Sequence, residues 1–170
     1  MKRVIILDTS VLCVWLNVPN MANCGPHDAQ WDRAKVEARI NEGIKEKALF
    51  VLPLATLIET GNHIAQTSHS RKNLAESLAE LMRKSADRRS PWAAFSDQSI
   101  LWEPNNLKAL ADTWPMLAAQ KITIGDATIK NVAELYNQMG YATEILTGDQ
   151  GLKAYEPVAP IVLPRRRRRR

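Results

Sequence analysis

The sequence predicts an α/β fold, a three-layer α/β/α sandwich with a central, mostly parallel sheet. Residues 4–7 form a short apolar run rich in β-branched side chains, as in strands buried on both faces of a parallel sheet. Val36, Ile40 and Ile44 recur at four-residue spacing, which is typical of an amphipathic helix. Runs of the first kind alternate along the chain with stretches of the second. This alternation indicates a parallel sheet covered by helices.

In the first half of the chain the predicted elements are a strand at 4–7, a helix at 11–16, a loop or insertion at 17–30, a helix at 30–47, a strand at 49–52 and a helix at 53–66. A capping box at Asn73 and Glu76 is predicted to open the next helix. In the second half they are a strand at 100–102, helices at 105–119 and 129–139, and strands at 144–146 and 161–163. Gly140 is predicted to end the helix at 129–139.

The length and charge of the chain indicate one domain that does not bind nucleic acid by charge alone. Six of the 23 basic residues are the arginines at 165–170, and the remaining 17 face 18 acidic residues. Such a balance excludes a histone-like protein. We predict a domain at 1–164 and an unstructured arginine tail at 165–170, either native or added. Cys13 and Cys24 are too few for a disulfide framework, so we expect a cytoplasmic protein with reduced thiols. The apolar stretch at 48–58 contains Pro53 and is too short to span a membrane, so we expect no membrane segment.

Four acidic residues fall where open α/β sheets place their ligands, at or facing the carboxyl ends of strands. Asp8 follows the first predicted strand, and Asp149 follows a later one through a Thr-Gly turn. Glu59 lies in the helix after the second strand, and Asp126 opens the helix at 129–139. Carboxylates that converge repel, and a hard cation such as Mg²⁺ or Mn²⁺ relieves the repulsion. Because Mg²⁺ held by carboxylates commonly serves to cleave phosphodiesters, the four residues predict a metal-dependent nuclease.

Each of these residues also has a purely structural interpretation. Asp8 and Asp126 suit helix caps, Asp149 suits a turn, and Glu59 suits a solvated helix position. Only their joint arrangement favours a metal site.

Three hydroxyl side chains adjoin these carboxylates in sequence, namely Thr9, Ser10 and Thr147. They are predicted either to hydrogen-bond to the carboxylates and orient them or to serve as capping and turn residues.

The chain resembles the PIN-domain nucleases in the order of these acidic motifs. The segments that carry the resemblance are Asp8-Thr9-Ser10 after a buried strand, then Glu59, then Gly125-Asp126-Ala127, then Leu146-Thr147-Gly148-Asp149, within residues 3–163. The resemblance implies a Rossmann-like PIN sandwich and Mg²⁺- or Mn²⁺-dependent endonucleolytic cleavage of RNA by metal-activated water. It further implies that Asp8, Asp126 and Asp149 hold one ion. Glu59 is then expected to orient or share a second ion or its water, as a further metal-site residue.

Small prokaryotic proteins of this family are often VapC-type toxins, so the resemblance also implies a toxin of a type II toxin–antitoxin pair, with an antitoxin as partner and a homodimer as assembly. The segments on either side of Glu59 are longer than in compact toxins of this kind. Two alternatives therefore remain open: a PIN nuclease that processes RNA or cuts single-stranded DNA, and a catalytically inactive PIN scaffold.

Other chemistries have little support. Cys24 and His27 make only half of a zinc site, and the chain lacks a glycine-rich dinucleotide loop, a phosphate-binding loop and a serine nucleophile elbow. Most tryptophans are expected to pack in the core. Trp92, in a polar loop, is the best candidate for stacking on an unpaired base.

Overall fold

A small parallel sheet packs against helices, which confirms the α/β class. A computed structural model describes residues 2–160, and the strand predicted at 161–163 and the arginine tail lie outside these residues. The strands are β1 (Arg3–Leu7), β2 (Asn23–Cys24), β3 (Trp31–Asp32), β4 (Leu49–Val51) and β5 (Ala142–Leu146). The helices are α1 (Thr9–Trp15), α2 (Arg33–Lys45), α3 (Leu54–Ala65), α4 (Arg71–Ala86), α5 (Pro104–Ala119), α6 (Ile124–Gln138) and α7 (Gln150–Lys153), with a 3₁₀ helix at Phe95–Trp102.

Strand β1 lies at the centre of the sheet, which within residues 2–160 has three parallel strands in the order β4-β1-β5. Side chains of β1 alternate between two buried clusters. Ile5 and Leu7 join a cluster that includes residues of α1, α2 and α4, and Val4 and Ile6 join one built mainly on α6. Both faces of β1 are therefore covered by helices, which explains its continuous apolar run.

Helix α2 approaches the sheet closely at Gly43. A Cβ atom added there would lie 2.6 Å from Ile5 Cδ1 and 2.9 Å from Phe50 Cζ, whereas one added at Gly61 in α3 would come no closer than 3.9 Å to Leu78. Gly61 is therefore a suitable control, because it is also a helical glycine but has no neighbour close to an added Cβ atom.

We expect the substitution Gly43→Ala to lower the free energy of unfolding by about 1 to 3 kcal/mol, because overpacking a close-packed core forces its neighbours to shift. The matched substitution Gly61→Ala is expected to raise it by about 0.4 to 1 kcal/mol through helix propensity. Thermal unfolding of both variants measures the difference. Equal stability of the two variants would contradict the close approach of α2.

The strand predicted at 100–102 is wrong, because these residues belong to the 3₁₀ helix at Phe95–Trp102. Residues 91–93, which precede the 3₁₀ helix, occupy the outer edge of β4. Phe50 N donates to Pro91 O at 2.8 Å, and Ala93 N donates to Phe50 O at 2.9 Å. A strand at 100–102 therefore has no place on this side of β4.

The predicted capping box at the start of α4 is also wrong. The helix begins at Arg71 with Ser70 as its N-cap, and Ser70 has a left-handed backbone with φ of 61° and no side-chain capping bond. Asn73 and Glu76 lie inside the helix. Arg71 Nε instead donates to the carbonyl of Thr67, which fixes the chain just before the helix.

Trp92 does not present its ring to solvent, so its predicted role in base stacking is wrong. Its side chain is 5% exposed and packs between Trp15 and Phe50, at 6.5 Å and 5.9 Å between ring centroids. The ring of Trp15 is nearly parallel to that of Trp92, with 18° between their planes. Trp92 is thus a core residue.

The stretch at 17–30, predicted as a loop or insertion, contains the short strand β2. It pairs antiparallel with β3, with Asn23 opposite Asp32 and Cys24 opposite Trp31. Residues 17–32 are called the β2–β3 segment below. Within the described part of the chain, no helix is long and apolar enough to cross a membrane.

Candidate functional site

Two of the four predicted carboxylates lie together at the carboxyl end of the sheet. Asp8 follows β1 and is the N-cap of α1, and Asp149 follows β5 and is the N-cap of α7. Since β1 and β5 are parallel neighbours, both residues lie at the same edge. Glu59 lies in α3 and Asp126 in the first turn of α6, and these two helices pack against each other.

Asp8 is the most tightly held of the four. Its side chain is buried, and Oδ2 accepts hydrogen bonds from Ser10 Oγ at 2.6 Å, Thr147 Oγ1 at 2.7 Å and the backbone N of Ser10 at 3.3 Å. The two hydroxyls in turn accept from the turn after β5: Gly148 N donates to Ser10 Oγ at 3.0 Å, and Asp149 N donates to Thr147 Oγ1 at 2.9 Å. The hydroxyls therefore connect the turns that carry Asp8 and Asp149.

Glu59 is held between α1 and α6. Its Oε2 accepts a hydrogen bond from Thr9 Oγ1 at 3.1 Å. Its Oε1 lies so close to Gly125 that a Cβ atom added to this glycine would be 2.2 Å from it. A side chain at position 125 would displace the carboxylate, so glycine at this position allows Glu59 to reach the site.

Asp126 serves as a helix-capping residue, as its structural interpretation predicts. Asp149, for which that interpretation is a turn residue, is the N-cap of α7. Asp126 Oδ2 accepts from Thr123 Oγ1 at 2.7 Å and from Thr123 N at 3.3 Å, which completes a capping box for α6. Asp149 Oδ1 accepts from the backbone N of Gly151 at 2.7 Å and of Leu152 at 3.2 Å. These contacts fix the orientation of both carboxylates.

The hydrogen bonds to the four carboxylates all go to one oxygen of each group. Within residues 2–160, no protein donor reaches the second oxygen of Asp8, Glu59, Asp126 or Asp149. None of the four forms an ion pair with any side chain in that range. Each group is therefore oriented by the protein while its charge is left without a partner among the described residues.

The carboxylates also act on one another electrostatically. Burial raises the pKa of Glu59, the charges of Asp126 and Asp8 raise it further, and the hydrogen bond from Thr9 lowers it. Burial likewise raises the pKa of Asp126, to which Asp8 and Asp149 contribute. Glu59 and Asp126 are therefore destabilised in their charged forms by neighbouring carboxylates, an effect that a bound cation would relieve.

The side chains do not form a preformed metal cage. Among the residues that the structure describes, no group of three or more His, Cys, Asp or Glu side chains is arranged so that it could hold a metal ion. The arrangement is thus a set of four carboxylates without ion-pair partners among the described residues, and the hydroxyl groups of Thr9, Ser10 and Thr147 bond to two of them.

The raised pKa of Glu59 predicts how stability depends on pH. Between its unfolded and folded pKa values the folded state binds more protons, so stability of the metal-free protein falls as pH rises through that window. We expect Glu59→Gln to remove this loss and to raise the unfolding temperature at neutral pH, since the amide oxygen of the new side chain can still accept from Thr9. The unfolding temperatures of the wild type and of Glu59→Gln are measured over a range of pH. Glu76→Gln, an exposed change on α4, is the control, and equal shifts for both variants would contradict the prediction.

The sequence motifs include two glycines, Gly125 and Gly148, but do not predict the packing roles by which they shape the site. Gly125 faces Glu59, and Gly148 packs against the β2–β3 segment, where an added Cβ would lie 2.7 Å from Gly25 N and 2.8 Å from Cys24 Sγ. No local pattern signals either contact, since each depends on a distant part of the chain.

His63, one turn after Glu59, lies near enough for its charge to lower the pKa of that carboxyl.

The chain was compared with protein-family models, with curated proteins and with solved structures, and none of them matches it.

Proposed function

We propose that this protein is a metal-dependent ribonuclease with a PIN-like, Rossmann-like α/β/α sandwich, which hydrolyses RNA phosphodiester bonds with Mg²⁺ or Mn²⁺. The observation that carries the proposal is the set of four oriented, uncompensated carboxylates at one end of the sheet, Asp8, Glu59, Asp126 and Asp149. Helices on both faces of β1 support the proposed layers.

The donor set fits a hard divalent cation. All of its candidate ligands are oxygen atoms, as Mg²⁺ and Mn²⁺ prefer. Mg²⁺ usually keeps several waters and binds through one or two carboxylates together with substrate phosphates, so a cage of three side chains is not a requirement. Asp8, Asp126 and Asp149 would hold the ion, one or two of them directly and the others through its bound waters. A bound ion would supply charge stabilisation at the phosphate and an activated water.

The residues of the chain have separate roles in this proposal. Ser10 and Thr147 hold Asp8 by one oxygen and leave Oδ1 for the ion. Glu59 is held by Thr9 through Oε2, and its raised pKa makes it suited to accept a proton from a nearby water at Oε1.

Cleavage and metal binding can be measured separately. The full chain is incubated with single-stranded and structured RNA in Mg²⁺, Mn²⁺ or chelator, and its unfolding temperature is followed as each metal is added. We expect cleavage only with metal. At an ion concentration of 100 times the dissociation constant, the expected stabilisation is about 2.7 kcal/mol, or roughly 5 to 10 °C. Cleavage in chelator, or no cleavage together with no thermal shift, would overturn the proposal.

A further inference from the structure

A groove with a positive lining runs along α2, and two of its lining residues adjoin the carboxylates in the structure or in the sequence. It has a volume of about 960 Å³ and lies between α2 and the end of β5 with α7. Its lining includes Trp31, Lys35, Arg39, Lys45, Thr147 and Lys153. It is called the α2 groove below.

The α2 groove is continuous with the carboxylate cluster. Thr147 lines the groove, and its hydroxyl donates to Asp8 at 2.7 Å. Gln150, which also lines it, directly follows Asp149. A chain lying in the groove would therefore pass beside the candidate site.

The charge in the groove differs from that of the rest of the protein. Four cationic side chains line it against one carboxylate, Glu42, whereas the chain without residues 165–170 has 17 basic and 18 acidic residues. Arg39 pairs with Glu144, and Lys153 pairs with Glu156. Lys35 and Lys45 are exposed and form no salt bridge among residues 2–160. Lys35 Nζ donates to the backbone carbonyl of Gln30 at 2.8 Å, which does not neutralise its charge, so both charges are available to an anionic ligand.

The groove also offers an aromatic surface. Trp31 in β3 is half-buried, packs against the core cluster on the α1 side of the sheet, and lines the groove. Unpaired bases stack on such side chains, whereas bases in a duplex are already stacked on their neighbours.

A peptide strand is a poorer occupant than a nucleic acid. The outward-facing backbone groups of Ile145 in β5, which also lines the groove, are already used: Ile145 N donates to Glu156, and Ile145 O accepts from Lys153 Nζ at 3.0 Å. Addition of a strand at this position would require both bonds to break.

We infer that the α2 groove binds a single strand of RNA and guides it to the carboxylates. Lys35 and Lys45 contact its phosphates, and Trp31 stacks on a base. The inference rests on the proposed ribonuclease function, because it assigns the form of RNA that the site receives.

Binding to a labelled single-stranded RNA is measured by fluorescence anisotropy in chelator, so that it does not depend on cleavage. The full-length double variant Lys35→Ala/Lys45→Ala is compared with Lys72→Ala/Lys108→Ala, which removes the same charge from exposed positions on α4 and α5. All variants carry the same arginine tail. Loss of two phosphate contacts is expected to reduce the slope of log affinity against log salt by about 1.4, at about 0.7 per contact. The control variant is expected to keep the slope of the wild type.

The stacking contact is tested with Trp31→Leu and with an abasic strand. We expect this variant to bind the normal strand at least about fivefold more weakly than the wild type does, and to bind the abasic strand with the same affinity as the wild type. If Trp31→Leu lost the same factor in affinity for the normal strand and for the abasic strand, base stacking on Trp31 would be excluded.

The groove variant decides the inference independently of catalysis. The inference fails if Lys35→Ala/Lys45→Ala binds single-stranded RNA with the salt slope of the wild type, or if the substitutions weaken binding only to duplex RNA. This holds even where metal-dependent cleavage is observed. If binding depends on the groove but no metal cleaves the RNA, the inference holds and the proposed nuclease function fails.

Discussion

Replacement of Asp8 by asparagine is expected to reduce metal-dependent RNA cleavage by at least about 100-fold, equivalent to about 2.7 kcal/mol of transition-state stabilisation. Asp8 is the buried carboxylate that accepts three hydrogen bonds from Ser10 and Thr147. Asparagine has nearly the same size and is an equally good N-cap, so α1 should remain intact. The substitution therefore removes the charge with little change in shape.

The control for this variant is Asp112→Asn, an exposed change on α5 outside the cluster. Initial cleavage rates of the wild type and both variants are compared at the same Mg²⁺ concentration, with thermal unfolding to verify the fold. We expect Asp112→Asn to match the wild type. An Asp8→Asn protein that is folded and cleaves at the wild-type rate would exclude a metal-binding role for Asp8.

The substitution Gly148→Ala is expected to disturb the candidate site through packing alone. An added Cβ would lie 2.7 Å from Gly25 N and 3.0 Å from the carbonyl carbon of Cys24, and backbone atoms cannot rotate away as a side chain can. We expect a loss of about 1 to 3 kcal/mol in unfolding free energy, or roughly 3 to 10 °C. Because Gly148 lies between Thr147 and Asp149, cleavage is expected to fall by about tenfold or more as these groups move.

The backbone of Gly148 has no left-handed φ, in contrast to Gly25 and Gly140, so alanine meets no conformational penalty there. Gly61→Ala, which adds the same methyl group where space is open, provides the comparison in unfolding and cleavage assays. If Gly148→Ala were as stable and as active as Gly61→Ala, the β2–β3 segment would not pack on this turn as described.

Elements with a strong local pattern could be predicted from the sequence. The buried run at 4–7 lies within β1, and the helix predicted at 129–139 lies largely within α6, which ends before Gly140 with φ of 88°. The error at 100–102 has a tertiary cause, since the edge of β4 is taken by residues 91–93 and an apolar triplet alone does not specify a partner. The capping pattern at Asn73 failed because such short motifs also occur inside helices.

The candidate site was predictable to the extent that it follows chain order. Asp8 and Asp149 follow adjacent parallel strands, and this alone places them at one edge of the sheet. The α2 groove was not predictable, because it depends on how the β2–β3 segment packs against Gly148. The segment has no periodicity that would indicate this contact, and the basic residues of α2 resemble any solvated helix face.

The stacked indoles of Trp15 and Trp92 give the protein an intrinsic optical probe. Two such chromophores 6.5 Å apart are close enough for their excited states to couple, and the circular dichroism of the pair depends on their relative orientation. Trp15 is the last residue of the helix that Asp8 begins. Any displacement of that helix when a cation or a nucleic acid arrives would therefore change the spectrum without an added dye.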